Sequence, residues 1–248
     1  MKILGVIPAR YASTRFPGKP LADIFGKSMI QRVYEQASKS HTLSQVVVAS
    51  DDERILEHVS NFGGMAVMTS AAHQSGTDRC AEVMLQFSDF EACINIQGDE
   101  PLIDPKQIDL LGGKISENEV ELATLIKKIS TEEELFNQNI PKVVCNNRGE
   151  AIYFSRETIP HLRGIPPSDW LEHHTFYKHI GIYAYRSQTL RNITQLPVSD
   201  LEKAESLEQL RWIQNGLKIH TLVTELETLA VDTPEDLEIL IKKLSAGN

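Results

Sequence analysis

From Lys2 to Ile7 the chain is apolar at nearly every position, the pattern of a strand buried on both faces of a parallel sheet. A loop rich in Arg, Ser, Gly and Pro follows, and then the spacing predicts an amphipathic helix from about Ser28 to Lys39. The alternation repeats. Gln45 to Ala49 is a β-branched run, Asp51 to Phe62 a helix with aspartates at its start, and Met65 to Met68 a short strand. Gly76 to Gln86 reads as a helix, and Cys93 to Ile96 as a fourth strand that stops at Gln97-Gly98-Asp99-Glu100-Pro101. Strands and helices alternating over short connections predict an α/β fold, a mostly parallel sheet covered on both faces. Ligands of such sheets lie beyond the carboxyl ends of the strands.

After about Leu122 the pattern changes. Leu122 to Ile126, Lys142 to Cys145 and Ala151 to Phe154 are strand-like without long helices between them, which predicts a smaller, partly antiparallel insertion. Residues 155–175 are irregular, with Pro160, Pro166, Pro167 and the pair His173-His174, and form a candidate substrate loop before the strand-like run His179 to Arg186. Ala204, Leu207, Leu210 and Ile213 recur at helical spacing, predicting one helix from Leu201 to Asn215 that Asn215-Gly216 stops. Lys218 to Val223 gives another strand. A run ending near Val231 is also strand-like, and Pro234 to Leu244 forms a closing helix after Asp232-Thr233-Pro234.

Composition narrows the function. The 248 residues suit one large α/β domain, or one with a substantial insertion. A balance of 25 basic against 34 acidic residues, net −9, argues against a broad grip on nucleic acid or anionic lipid, so any anion site must be local. Cys80, Cys93 and Cys145 are scattered and odd in number, which fits a reducing compartment. The apolar run at the start is broken by Pro8 and Arg10, and no later run could span a bilayer, so a cytoplasmic location is expected.

A local anion site is available in Pro8-Ala9-Arg10-Tyr11-Ala12-Ser13-Thr14-Arg15-Phe16-Pro17-Gly18-Lys19-Pro20. It offers small residues whose backbone can approach phosphate oxygens, together with two guanidinium forks and a compact ammonium. A solvated basic loop is the plainer alternative. This is no Walker P-loop, because Ser13 stands where the first glycine should be and Pro20 where Ser or Thr should hold magnesium. Nor does G-x-G-x-x-G follow any strand. Asp99, after the fourth strand, is placed to bind magnesium, which favours a few carboxylates plus substrate phosphates. A polar turn is its alternative reading. Asp232 repeats the situation, with helix capping as the competing role. His161, His173, His174 and His179 lack zinc-ligand spacing, and Ser155 lacks a nucleophile elbow.

Six motifs in order extend this reading over nearly the whole chain. They are the opening loop, Gln97 to Pro101, Tyr153-Phe154-Ser155-Arg156, Lys178 to Tyr183, Leu207-Glu208-Gln209-Leu210-Arg211 and Val231 to Asp236. Together they resemble the 3-deoxy-manno-octulosonate cytidylyltransferases (CMP-Kdo synthetases). The resemblance implies a single Rossmann-like nucleotidyltransferase domain of glycosyltransferase-A type over 1–248, with a sugar-binding and dimerisation subregion at about 122–200. It implies CTP and Kdo as substrates, CMP-Kdo and pyrophosphate as products, Mg²⁺ as cofactor, a homodimer, and a place in lipopolysaccharide synthesis. A related sugar acid, amino-substituted or sialic-acid-like, is the alternative acceptor.

By position, the resemblance places Pro8, Ala9, Arg10, Ser13, Thr14, Arg15, Lys19, Ser75, Arg79 and Gln97 around the nucleotide. Arg10, Lys19, Asp99 and Asp232 form its catalytic set, with Asp99 and Asp232 on the metal. Arg156, Arg163, His179, Tyr183, Glu208 and Gln209 fall around the sugar acid, one of the two arginines pairing with its carboxylate. Pro166 to His174 departs from the family in length and composition.

Overall fold

The computed structural model describes residues 1–12, 15–227 and 229–246. Its strands are β1 Ile3–Ala9, β2 Asp23–Ile24, β3 Lys27–Ser28, β4 Gln45–Ser50, β5 Ala66–Met68 and β6 Ala92–Asn95, then β7 Leu122–Lys128, β8 Lys142–Cys145, β9 Ala151–Ser155, β10 Tyr177–Arg186 and β11 His220–Val223. The helices are α1 Met29–Ala37, α2 Glu53–Asn61, α3 Gly76–Gln86, α4 Pro105–Ile115 and α5 Glu132–Phe136, then α6 Trp170–His173, α7 Ser187–Ile193, α8 Asp200–Glu205, α9 Gln209–Gln214 and α10 Pro234–Ala246.

The main sheet follows the order β11-β7-β10-β6-β1-β4-β5, with β8 and β9 attached beside β10. β1 pairs in parallel with both β4 and β6, and its side chains divide between two cores. Ile3 and Ile7 join one side, Leu4 and Val6 the other, which is why the strand reads as continuously apolar. The expected mostly parallel α/β sheet with a partly antiparallel excursion is borne out.

β10 runs antiparallel between β6 and β7. Tyr183 pairs with Asn95 at the end of β6, so Tyr177 to Ile182 project past that end, to the side where the parallel strands deliver their loops. Against β7 the pairing steps from Ile180–Leu125 to Tyr183–Thr124, leaving Gly181 and Ile182 without a register partner there.

Two expectations are corrected. The helix predicted from Leu201 to Asn215 is two helices, because Ser206 adopts a left-handed conformation (φ 52°) and its N–H closes on the Glu202 carbonyl. The helical spacing survives the break because Leu207 and Leu210 both stay buried. The strand-like run before Asp232 forms no strand among the described residues. It is held instead by burial of Val231 with Ile24, Met29 and Leu240, which docks α10 against the β2–β3 hairpin and α1. The irregular 155–175 stretch packs over Ile129, Leu135, Trp170 and Phe176, with α6 inside it.

Candidate active site

Three chain segments meet where β1 and β6 end. A Cβ on Gly98 would lie 2.6 Å from the Pro8 carbonyl oxygen, so only glycine lets the loop after β6 approach the loop after β1 this closely. A Cβ on Gly76 would stand 3.4 Å from both Pro8 and Asn95, which puts the amino end of α3 beside the same two strand ends. Ser75 caps α3 in a reciprocal box with Asp78, leaving the positive end of the helix dipole at this edge.

The basic loop is braced at both ends. Gly18, at φ 73°, donates its N–H to the Tyr11 carbonyl at 2.9 Å, and the Arg54 guanidinium lies 3.3 Å over the Tyr11 ring. This turn delivers Lys19, whose Nζ sits 2.7 Å from Asp99 Oδ2 and 3.4 Å from Asp232 Oδ1. Arg15 Nη2 reaches Asp232 Oδ1 at 3.2 Å. Arg10 is exposed just after β1 and donates to the His73 carbonyl. Ser13 and Thr14 lie outside the described residues.

Asp232 is relieved of the helix-capping alternative. Thr233 Oγ1 accepts the Asp236 N–H at 3.2 Å, while Asp236 Oδ2 accepts the N–H groups of Asp232 and Thr233 at 3.0 and 2.9 Å. The cap is thus made by Thr233 and Asp236, and the Asp232 carboxylate faces Lys19 and Arg15. Two carboxylates directed at one cation are a donor set that suits Mg²⁺, which takes one or two protein carboxylates and completes its octahedron with phosphates and water. Among the described residues no group of three or more His, Cys, Asp or Glu could hold a metal by itself. An ion between Asp99 and Asp232 therefore needs oxygen ligands from elsewhere, as a triphosphate provides.

A second constellation lies around the bulge of β10. His179 and Tyr183 ring centroids are 5.2 Å apart, whereas four residues of regular strand would span about 13 Å. The bulge is pinned from two sides. Thr124 Oγ1 lies 3.2 and 2.8 Å from the Ile180 and Ile182 carbonyls and 3.0 Å from His179 Nε2, while Gln97 Nε2 donates to the Gly181 carbonyl at 2.6 Å. Burial pulls the His179 pKa down to about 3, so its ring is neutral at ordinary pH. Burial pushes the Tyr183 hydroxyl well up.

Glu208 comes to this region from the elbow between α8 and α9. Its Oε2 accepts from Thr77 Oγ1 at 2.6 Å and its Oε1 pairs with Arg211 Nη2 at 3.1 Å. Burial raises its pKa, against the Thr77 hydrogen bond that lowers it. Gln209 is buried beside it at the start of α9. Arg156 shapes that elbow, donating from Nε to the Glu205 carbonyl at 2.6 Å, from Nη1 to Gln138 at 3.2 Å and from Nη2 to Ser206 at 3.3 Å. Arg163 is exposed on a turn over the Trp170 cluster, and the structure gives it no contact with Arg156 or Glu208. Arg79 is fully buried under α3, its guanidinium bonded to Thr69 and 3.3 Å from Asp51.

Sequence reasoning did not single out Thr77, Thr124, Lys142, Glu205 or Asp236. Glu205 accepts from Ser155 Oγ at 2.7 Å and the Arg156 N–H at 2.8 Å, and buried Lys142 donates to the Asn137 and Arg156 carbonyls at 2.9 and 2.6 Å. Only Asp236 left a local signal, the Thr-x-x-Asp spacing of a capping box.

A cytidylyltransferase family model matches residues 4–219. A 3-deoxy-manno-octulosonate cytidylyltransferase from Parabacteroides distasonis is 56% identical over 243 residues, 96% of each chain. Another from Cytophaga hutchinsonii is 58% identical over 239 residues, 96% of this chain and 95% of the relative. This chain belongs to the 3-deoxy-manno-octulosonate cytidylyltransferases. The resemblance drawn from the six motifs is borne out. A solved CMP:2-keto-3-deoxy-manno-octonic acid synthetase complexed with CTP superposes with a TM-score of 0.92 at 44% identity, covering both chains completely. A cytidylyltransferase from Leptospira borgpetersenii, with a TM-score of 0.64 at 18% identity over 99% of this chain and 87% of its own, shares the fold alone. The family model stops before Asp232, so within this cytidylyltransferase fold one of the two converging carboxylates comes from beyond the matched segment.

Proposed function

We propose that the chain transfers CMP from CTP to 3-deoxy-D-manno-octulosonate, releasing pyrophosphate and supplying CMP-Kdo for lipopolysaccharide synthesis. The observation that carries this reading is the convergence of Lys19, Asp99, Asp232 and Arg15 at the carboxyl edge of the sheet, in a fold matching a CTP-complexed synthetase along its whole length.

The reaction is an in-line displacement in which the anomeric hydroxyl oxygen bonds to the α-phosphorus of CTP. The bond from that phosphorus to the β-phosphate bridging oxygen breaks, and the hydroxyl proton passes to solvent or a base. Such transfers are catalysed by positioning and charge neutralisation. Arg10, Arg15 and Lys19 supply positive charge for the triphosphate, and the amino end of α3 adds partial charge beside them. Asp99 and Asp232 would hold Mg²⁺, which when bound supplies charge for the triphosphate and lowers the pKa of an oxygen it contacts. His179, Tyr183, Glu208 and Gln209 give the acceptor side a neutral imidazole, an aromatic wall and polar groups suited to a polyol acid.

The same reading includes a cytoplasmic homodimer with its contact surface within about residues 122–200. It is supported by the exposed apolar side chain of Ile152 on β9, the strand paired with β8, and by a cavity of about 630 Å³ lined by residues of β8, the start of β10 and the cis Ile159-Pro160 turn. No helix among the described residues is long and apolar enough to cross a membrane.

The test is pyrophosphate release from each of CTP, UTP, ATP and GTP, offered with Kdo, its amino-substituted analogue and a sialic acid. CTP with Kdo should give the highest kcat/KM. Equal turnover with ATP, or preference for another acid, would replace the corresponding half of the assignment.

A further inference from the structure

Thr77 stands in the first turn of α3, 3% exposed, one residue after the glycine that packs against Pro8. A threonine so placed in a helix ordinarily turns its hydroxyl to solvent or to a carbonyl of its own helix. This one reaches out of its helix, and the 2.6 Å separation from Glu208 Oε2 is in the range of a charge-assisted O–H···O⁻ bond. The bond joins two elements with separate tasks. α3 begins beside the loop that carries Arg10, whereas Glu208 and α9 begin at the elbow set by Arg156.

With Thr77 on one oxygen and Arg211 on the other, the plane of the Glu208 carboxylate is fixed from both sides. Beneath it the floor is rigid, with Trp212 meeting Tyr183 and Tyr185 edge to face at 5.2 and 5.8 Å. Yet Glu208 keeps 27% of its side-chain surface open, enough to accept a further donor.

We propose that Thr77 is a positioning residue for the acceptor, orienting the Glu208 carboxylate to take a hydroxyl of the polyol acid and leaving recognition of CTP to the other side of α3. The inference rests on the transfer reaction proposed above and on Glu208 facing the acceptor. Without the Thr77 hydroxyl the carboxylate loses its strongest hydroxyl donor and turns towards Arg211, so acceptor binding suffers while the triphosphate site does not.

The experiment is steady-state kinetics with CTP and Kdo on Thr77→Val and Thr77→Ser, each alone and combined with Glu208→Gln, with melting curves alongside. Thr77→Val should raise the KM for Kdo about 10- to 100-fold, the worth of a hydrogen bond to a charged group. Its KM for CTP should stay within about twofold of wild type, and Thr77→Ser, which restores the hydroxyl, should return near wild-type behaviour. In the Glu208→Gln background the Val substitution should add less than about twofold, because the charge it served is gone. Equal rises in both KM values, unchanged kinetics in Thr77→Val, or the same penalty with and without the Glu208 charge would each overturn the proposal. If Thr77→Val does not fold, Thr77→Ala, which removes the hydroxyl and leaves room, carries the same comparison. A wild-type protein that releases no pyrophosphate from CTP and Kdo would instead refute the reaction.

Discussion

The backbone N–H of Val231 donates to the carbonyl oxygen of Asp99 at 2.9 Å. The segments bearing the two converging carboxylates are therefore joined by main chain, and the location of Asp232 does not depend on its own charge. Val231 is buried against Ile24, Met29 and Leu240, and Thr233 with Asp236 caps α10, so the backbone is held on both sides of Asp232.

Removing one negative charge should thus test chemistry rather than folding. Asp99→Asn and Asp232→Asn should melt close to wild type but lose at least about a hundredfold in kcat, if the metal supplies several kcal/mol of transition-state stabilisation. Turnover at saturating CTP and Kdo across Mg²⁺ and Mn²⁺ titrations decides it, and partial rescue at high metal would locate the defect in ion binding. A folded Asp232→Asn protein with full turnover and an unaltered metal requirement would leave Asp99 as the sole protein ligand.

Arg156 should behave differently, because its three donors end on the carbonyls of Gln138, Glu205 and Ser206. Lysine has no planar fork to serve three such acceptors. Arg156→Lys should cost about 1–3 kcal/mol of stability and raise the KM for Kdo by loosening the elbow that presents Glu208. Chemical denaturation with acceptor titration checks both effects, and a Kdo defect without any loss of stability would mean that Arg156 touches the acceptor itself.

His179 sets a pH dependence. Burial lowers its pKa from 6.5 to about 3, so between those values the unfolded chain takes up a proton that the folded protein refuses. Stability must then fall as pH drops below about 6.5, by up to about 1.4 kcal/mol per pH unit from this group. Glu208, whose folded pKa is raised by burial, contributes with the opposite sign, so the informative quantity is a difference between proteins. Denaturation midpoints from pH 7 to 4.5 should decline less steeply in His179→Gln than in wild type. Parallel declines would show that the imidazole is protonated in the folded state.

Much of this was legible in the chain itself. The strands announced themselves because burial on both faces leaves continuous apolar runs, and the turn at Gln97 to Pro101 ended one of them abruptly. The meeting of Asp99 with Lys19 followed from parallel strands delivering their loops to one edge. The break at Ser206 was hidden because Leu207 and Leu210 keep helical spacing across it, and what decides the local conformation includes an arginine fifty residues upstream. Thr77 and Thr124 left no sequence signal, since a hydroxyl that bonds across the fold has no characteristic local spacing. Arg79 was placed beside the nucleotide by the family resemblance, which carries no information about depth, and the structure places it entirely in the interior.

The stepped pairing of β10 makes the acceptor side a matter of length as well as of residue type. Gly181 and Ile182 add two positions on one strand without a counterpart on its neighbour, and an even number preserves which face every later side chain occupies. Shortening the strand by those two residues would keep His179, Tyr183 and the alternation of Ala184 and Tyr185 between the two cores, yet draw it straight and remove the Gly181 and Ile182 carbonyls that Gln97 and Thr124 hold. Among homologous chains, an insertion or deletion at this one place can therefore reshape the pocket while His179, Tyr183, Glu208 and Gln209 are all retained, a change that a comparison of those four residues alone would pass over.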